Sequence, residues 1–300
     1  MSGVAGGERI QKDNVDATFE EYVDRVLSKI DGFVDARLSG SAKIKIKPDY
    51  GDLDLIVYFK GDDKREVKQR IIRFVNTAPE SLIPKFKNPK HQNKKHYNAG
   101  ELISVLFPIE GQPGEHVQVD NIIALTPDEQ TFKESFLDMP AEIQGLLVGL
   151  AKTFFLEEPK HHIFRRLGIN RVPALKEGQE YEFNLSGNRL ELRIVTLGED
   201  YKELDRKSVW STTNWELVKK LFSNYDINAP FEKLLHAINI NLRNPRSKRR
   251  VVGTFKGLVS VKSGEVNTPK GDNKERSREL VSTVLGEQYI LSFKDFRKGA

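Results

Sequence analysis

The sequence predicts an α+β fold, a mixed β-sheet with helices packed on one face over residues 1–158, followed by a second α+β domain over 159–300. Apolar residues fall at strand spacing in 33–39, 52–59, 101–107 and 116–124, with helical spacing between them in 18–30 and 63–76. Beyond about Leu156 the pattern begins again with an alternating hairpin, and a chain of 300 residues is long enough to bury two cores.

The first helix is expected to start at Thr18-Phe19-Glu20-Glu21, a capping box in which a Thr hydroxyl and a Glu three residues on satisfy free backbone amides. Phe19, Tyr22, Val23, Val26, Leu27 and Ile30 then recur on one face, and Gly32 closes the segment. Phe33 to Ser39 follows as a strand that delivers the chain to a Gly40-Ser41 turn. Lys43, Lys45 and Lys47 alternate with Ala42, Ile44 and Ile46, the pattern of a strand with one cationic face. That face serves either as a lysine-protected sheet edge or as countercharge for a phosphate tail. Gly51 precedes the aliphatic and aromatic run 52–59, the next strand, and a helix over 63–76 buries Val67, Ile71, Phe74 and Val75. Strands 101–107 and 116–124 are joined by the Pro/Gly-containing segment 108–115. Thr126-Pro127-Asp128-Glu129 opens one helix and Pro140-Ala141-Glu142 another, which Glu157-Glu158-Pro159 stops.

In the second half, 181–185 and 190–194 alternate around Ser186-Gly187-Asn188 as a hairpin. Thr213-Asn214-Trp215-Glu216 reads as a further capping box, and Pro230 as one more helix start. Residues 251–261 read as a strand, 263–274 as a polar loop, and 274–285 as a helix. His161 and His162 are adjacent, which is not ligand spacing for one helix face, so both are expected on the surface, with a minor role in phosphate contact left to Arg165 or Arg166.

Chemistry concentrates in three acids. Asp52 and Asp54 begin a strand and project to the same side, where two carboxylates repel unless a cation lies between them. Hard divalent ions such as Mg²⁺ take oxygen ligands and bind through one or two carboxylates together with substrate phosphates. Asp120 sits among Val119, Asn121, Ile122 and Ile123. It either completes a carboxylate triad or, because Gln118 shares its parity, lies on the wet face of an edge strand. Gly40 allows a tight turn and a close ligand approach, and Ser41 offers a hydroxyl donor. Ser-Gly-Ser is equally an ordinary turn sequence.

The ordered set Leu38-Ser39-Gly40-Ser41, Gly51-Asp52-Leu53-Asp54-Leu55-Ile56-Val57 and Val117-Gln118-Val119-Asp120 resembles the DNA polymerase beta-like nucleotidyltransferase superfamily over roughly the first half of the chain. The resemblance implies a nucleotidyltransferase-like sheet, with Asp52, Asp54 and Asp120 as catalytic residues binding two Mg²⁺ (or Mn²⁺) ions. It also implies that Gly40 and Ser41 hold the triphosphate of an NTP such as ATP, where the charge of Lys43 would add to nucleotide binding. The expected reaction moves an NMP to a hydroxyl acceptor with release of pyrophosphate. No template-reading domain is recognisable, so untemplated transfer to an RNA or DNA 3′ end is favoured over a protein or small-molecule acceptor. The three lysines between Ala42 and Tyr50 depart from the pattern and leave the acceptor open. Two alternatives share the same residues: a catalytically inactive nucleotide- or nucleic-acid-binding protein of this fold, and an interaction protein whose acids hold a structural cation.

Composition agrees with an enzyme working in the cytoplasm without a membrane. There is no cysteine, which excludes disulfides, thiol catalysis and cysteine-ligated metal sites. MSGVAGGERIQKDN holds no signal-peptide core, and no later run approaches a membrane span. Net charge is +5 and the pI about 9.1, weak as totals but uneven in distribution. Basic residues gather at Lys43, Lys45 and Lys47, in 85–95, and in 243–250, where Arg246, Lys248, Arg249 and Arg250 are candidates for contact with a nucleic-acid acceptor. A solvated loop accounts for that last cluster equally well. Nothing in the pattern specifies an oligomeric state.

Overall fold

Alternation along four apolar runs, and one short polar strand, builds a five-stranded mixed sheet. A computed structural model describes residues 7–45, 47–87, 94–139, 144, 147–148, 151, 155, 160–198, 203–222, 260–262 and 265–267. The chain divides into two units, Met1–Met139 and Pro140–Ala300, where the sequence reading drew its line after 158.

In chain order the first unit contains β1 (Ile10–Gln11), α1 (Val15–Arg25), β2 (Phe33–Ser39), α2 (Gly40–Ile44), β3 (Asp49–Tyr50), β4 (Asp52–Phe59), α3 (Lys64–Thr77), β5 (His96–Ala99), β6 (Leu102–Pro108), β7 (His116–Ala124) and α4 (Pro127–Leu137). The main sheet runs β2-β4-β7-β6-β5. β4 and β7 are parallel, and every other neighbouring pair is antiparallel. β1 and β3 form a separate small ladder.

The odd-numbered residues of β4, Leu53, Leu55, Val57 and Phe59, share one core with Val67, Ile71 and Val75 of α3 and with Val15 and Tyr22 of α1. Their spacing of four along α3 is the stripe that a 3.6-residue period turns toward a sheet. Each such side chain, fully buried, contributes roughly 1.5–3 kcal/mol. Tyr22 Oη and Asn121 Oδ1 lie 3.1 Å apart, and Asn121 Nδ2 also donates to Ile103 O at 3.1 Å. This buried pair ties α1 to the strand that carries Asp120. Burial raises the Tyr22 phenol well above its ordinary value, so it stays neutral.

Helices flank both faces of the sheet rather than one. The second face takes α4, whose Gln130 Nε2 donates to Ile56 O at 3.3 Å and whose Glu134 accepts from Arg37 Nη1 at 2.8 Å. The fully buried Lys133 ammonium on α4 contacts Glu101 at 2.5 Å and Glu129 at 3.4 Å, and Lys64 reaches Glu101 at 2.9 Å. Buried charge is tolerated only when paired in this way.

Several sequence expectations are corrected. α1 starts at Val15, not at a Thr18 capping box, because Thr18 is buried and its hydroxyl accepts from Glu110 N at 3.0 Å. The helix also ends at Arg25, giving way to a 3-10 turn over Leu27–Lys29. Ala42 to Lys45 is not part of an alternating strand: Gly40–Ile44 is one short helix capped by Lys45 in the left-handed region at φ 54°. β5, HYNA, was not foreseen. Its two half-buried and two exposed residues carry no apolar signal, and pairing with β6 alone defines it.

The second unit contains α5 (Lys160–Leu167), β8 (Gln179–Leu185), β9 (Leu190–Leu197), β10 (Glu203–Thr212), α6 (Trp215–Leu221), β11 (Ser260–Lys262) and β12 (Glu265–Asn267). β8 and β9 make the expected hairpin, and β10 adds a third strand that the alternation did not announce. Phe155 stacks on Phe183 with ring centroids 5.0 Å apart. His161 and His162 are exposed on α5. Asn214, not Thr213, caps α6 by accepting from Glu216 N at 2.9 Å. β12 pairs with β11 inside the segment read as a loop. Gln144, Leu147, Val148, Ala151 and Phe155 are helical; the ends of that helix, the Pro230 helix, most of strand 251–261 and the helix at 274–285 lie outside the described residues. Among the described residues no helix is long and apolar enough to cross a membrane.

Candidate active site

β4 and β7 lie side by side with Asp54 opposite Asp120 and Asp52 opposite Gln118. Paired residues share a face, as do residues two apart along a strand. Asp52, Asp54, Gln118 and Asp120 therefore stand together on the face opposite the Leu53-Leu55-Val57 core. Ser39 on β2 pairs with Asp54, and Ser104 on β6 pairs with Asp120. One level of the sheet thus reads Ser39, Asp54, Asp120, Ser104 across four strands.

Asp120 is 8% exposed on a strand with a neighbour on each side. The alternative of a wet edge strand is overturned, since Gln118, the residue that suggested it, is buried as well. Burial pushes the Asp54 carboxyl up to about 7, reinforced by the charges of Asp52 and Asp120. Asp52 is raised by burial and then by Asp120. Burial raises Asp120 too, while the neighbouring Ser104 hydroxyl and Gln118 amide pull the other way. Gln118 Nε2 donates to Asp120 Oδ1 at 2.8 Å. The charges of Arg9 and Lys47 act on Asp52 in the opposite direction without outweighing its burial.

A hard divalent cation takes carboxylate and amide oxygens. The donor set on this face fits one: the half-buried Asp52 and Asp54 and the buried Asp120, all with raised proton affinity, plus a buried amide oxygen, Gln118 Oε1, that lacks a hydrogen-bond partner. As the side chains stand, no group of three or more acids or histidines among the described residues meets the geometry for holding a metal ion. Like charges in a poorly solvated site repel, and a cation between them would relieve that repulsion.

The Gly40 turn backs directly onto this face. Gly40 has φ +67°, and a Cβ there would lie 2.8 Å from Asp54 Oδ2. Only glycine allows both the left-handed backbone and the close approach. Its amide donates to Asp138 Oδ1 at 3.1 Å, beside Ser39 Oγ, which donates to the same oxygen at 2.9 Å. Lys43 Nζ bridges Asp138 Oδ2 at 2.5 Å and Glu134 Oε1 at 2.7 Å. Burial alone would lower the Lys43 ammonium, but these two carboxylates outweigh it and hold it above its ordinary value. Two of the three residues expected at a triphosphate, Gly40 and Lys43, are thus engaged with an acid just beyond α4; Ser41 is half-buried next to them. Lys45 pairs with Asp16 of α1. Arg246, Lys248, Arg249 and Arg250 lie outside the described residues.

Asp138 is the residue that sequence reasoning missed, because nothing in TFKESFLDMP signals a partner almost a hundred positions earlier. Asp138→Ala removes a charged acceptor from the Ser39 hydroxyl and the Gly40 amide and is expected to cost about 1–3 kcal/mol, measured by urea denaturation. An unchanged midpoint would show that the turn holds without it.

The raised acids also set a pH dependence. The folded carboxyl of Asp54 binds its proton more tightly than the unfolded one, so between about pH 4 and about 7 the folded state carries more protons and loses stability as pH rises. In EDTA, Asp54→Asn is therefore expected to be more stable than wild type above about pH 7, with the gap closing toward pH 4. Denaturation curves across that range check it, and a gap independent of pH would refute it.

No protein-family model matches the chain, and no curated protein matches it in sequence.

Proposed function

We propose that the protein is a metal-dependent nucleotidyltransferase that moves an NMP from an NTP to a hydroxyl acceptor, releasing pyrophosphate. The observation that carries this reading is the parallel pairing of Asp54 with Asp120, with Asp52 on the same face and the Gly40 backbone against Asp54. Asp52 and Asp54 would hold both Mg²⁺ or Mn²⁺ ions and Asp120 would share the acceptor-side ion. Bound there, the ions supply Lewis acidity that offsets charge on the entering and leaving oxygens of an in-line displacement. The acceptor oxygen attacks the α-phosphorus, the bond to the β-phosphate bridging oxygen breaks, and pyrophosphate leaves with the electron pair. Asp120, whose carboxyl holds protons more tightly than an ordinary aspartate, accepts the hydroxyl proton. Ser41 and the Gly40 turn keep the phosphate tail in register, which converts binding into orientation.

An RNA or DNA 3′ end is the favoured acceptor, ahead of a protein or small molecule. The competing reading is nucleotide or nucleic-acid binding without turnover; in either reading a bound phosphate has to share or displace Asp138 at the Gly40 amide and the Lys43 ammonium. The deciding experiment incubates the full chain with each α-labelled NTP, Mg²⁺ or Mn²⁺, and RNA, DNA or protein pools. Label transferred to an acceptor establishes the enzyme; binding of NTP without transfer establishes the competing reading.

A further inference from the structure

Gln118 is a buried side chain on the acid face that the proposed chemistry leaves without a role. It pairs in register with Asp52, is 1% exposed, and donates through Nε2 to Asp120 Oδ1 at 2.8 Å. Its Oε1 is buried with no hydrogen-bond partner. Leaving a buried acceptor unmade costs about 1–3 kcal/mol, whereas an apolar side chain of similar size carries no such penalty. Packing alone therefore gives no reason for an amide at this position. A reason appears if the oxygen is completed by something that joins the fold afterwards. Beside Asp52 and Asp120, the fitting group is a hydrated divalent cation, for which a neutral amide oxygen is an ordinary partner.

We infer that Gln118 is a positioning residue of the cation site, which holds one oxygen of Asp120 through Nε2 and offers Oε1 to the hydrated cation. This rests on reading the acid face as a divalent-cation site. Donors that orient a ligating carboxylate typically alter metal affinity by about 10–100-fold when removed. Gln118 does this without adding a fourth negative charge to a face where the existing carboxylates already repel.

The test uses the full chain and Mn²⁺ alone, with free Mn²⁺ followed by electron paramagnetic resonance and stability followed by thermal melting in EDTA. Gln118→Leu is expected to melt in EDTA close to wild type, because removing the unpartnered Oε1 offsets the loss of the Nε2 donor to Asp120, and to bind Mn²⁺ about 10–100-fold more weakly. Gln118→Met, which is unbranched and closer in shape, is measured in parallel. Mn²⁺ affinity equal to wild type in either folded variant overturns the inference. So does a large loss of melting temperature in EDTA for both variants, which would make the glutamine structural. If the wild type itself binds no Mn²⁺, the cation site fails along with the inference, and that outcome is distinct because the variants then have nothing to lose.

Discussion

Asp54→Asn is expected to lower the rate of nucleotidyl transfer by roughly a hundredfold to a thousandfold in a protein that remains folded. Asp54 is the middle of the site: Asp120 stands opposite it on β7, Asp52 two residues before it, and Gly40 against its Oδ2. Asparagine keeps the shape and one oxygen but removes the charge, so the ability to bind a divalent cation falls while packing hardly changes. Because burial and two like charges already disfavour the ionised form of Asp54, its removal relieves the folded state of a cost. The two readouts therefore move in opposite directions, with activity falling and metal-free stability above about pH 7 rising. A residue needed only for the fold would lower both. Transfer at the wild-type rate in Asp54→Asn would refute the assignment of this face.

Gly40→Ala carries the second large effect. A non-glycine residue held at φ +67° is strained by about 1–3 kcal/mol. Its Cβ must also displace the Asp54 carboxylate, 2.8 Å away. The turn cannot retreat freely, because Asp138 holds its amide and the Ser39 hydroxyl. The expected outcome is a clear loss of stability in urea, with transfer falling further than stability alone explains, since the shifted group is the one on which the proposed transfer depends. Ser41→Ala is the control: its side chain carries no such contact, so stability should stay within about 0.5 kcal/mol of wild type. Wild-type activity in Gly40→Ala would mean that the turn does not bear on the acids.

The strands were legible where burial on one or both faces imposes a pattern on the chain. Phe33–Ser39, Asp52–Phe59 and His116–Ala124 match their expected bounds, because alternation around Leu53, Leu55 and Val57 has one physical solution, a core on that side. Expectations failed where a distant partner overrode a local preference. Thr18 is a good capping residue, but its hydroxyl serves Glu110 in the loop between β6 and β7. Lys43 and Lys45 alternate like strand residues, yet Glu134, Asp138 and Asp16 draw them into and around a short helix.

From the sequence by itself came the types of the main elements and the identity of three acids near a glycine turn, since periodicity and residue chemistry are local properties. The parity of Asp52 and Asp54 was likewise certain once their strand was recognised. Only the tertiary structure decided that β7 lies parallel to β4, in a register that sets Asp120 beside Asp54 and buries it. A shift of one residue in that pairing would have turned Asp120 into the hydrophobic core. Register, burial and the grip of Asp138 on the Gly40 turn depend on chain segments that meet only on folding, and no local pattern encodes such a meeting.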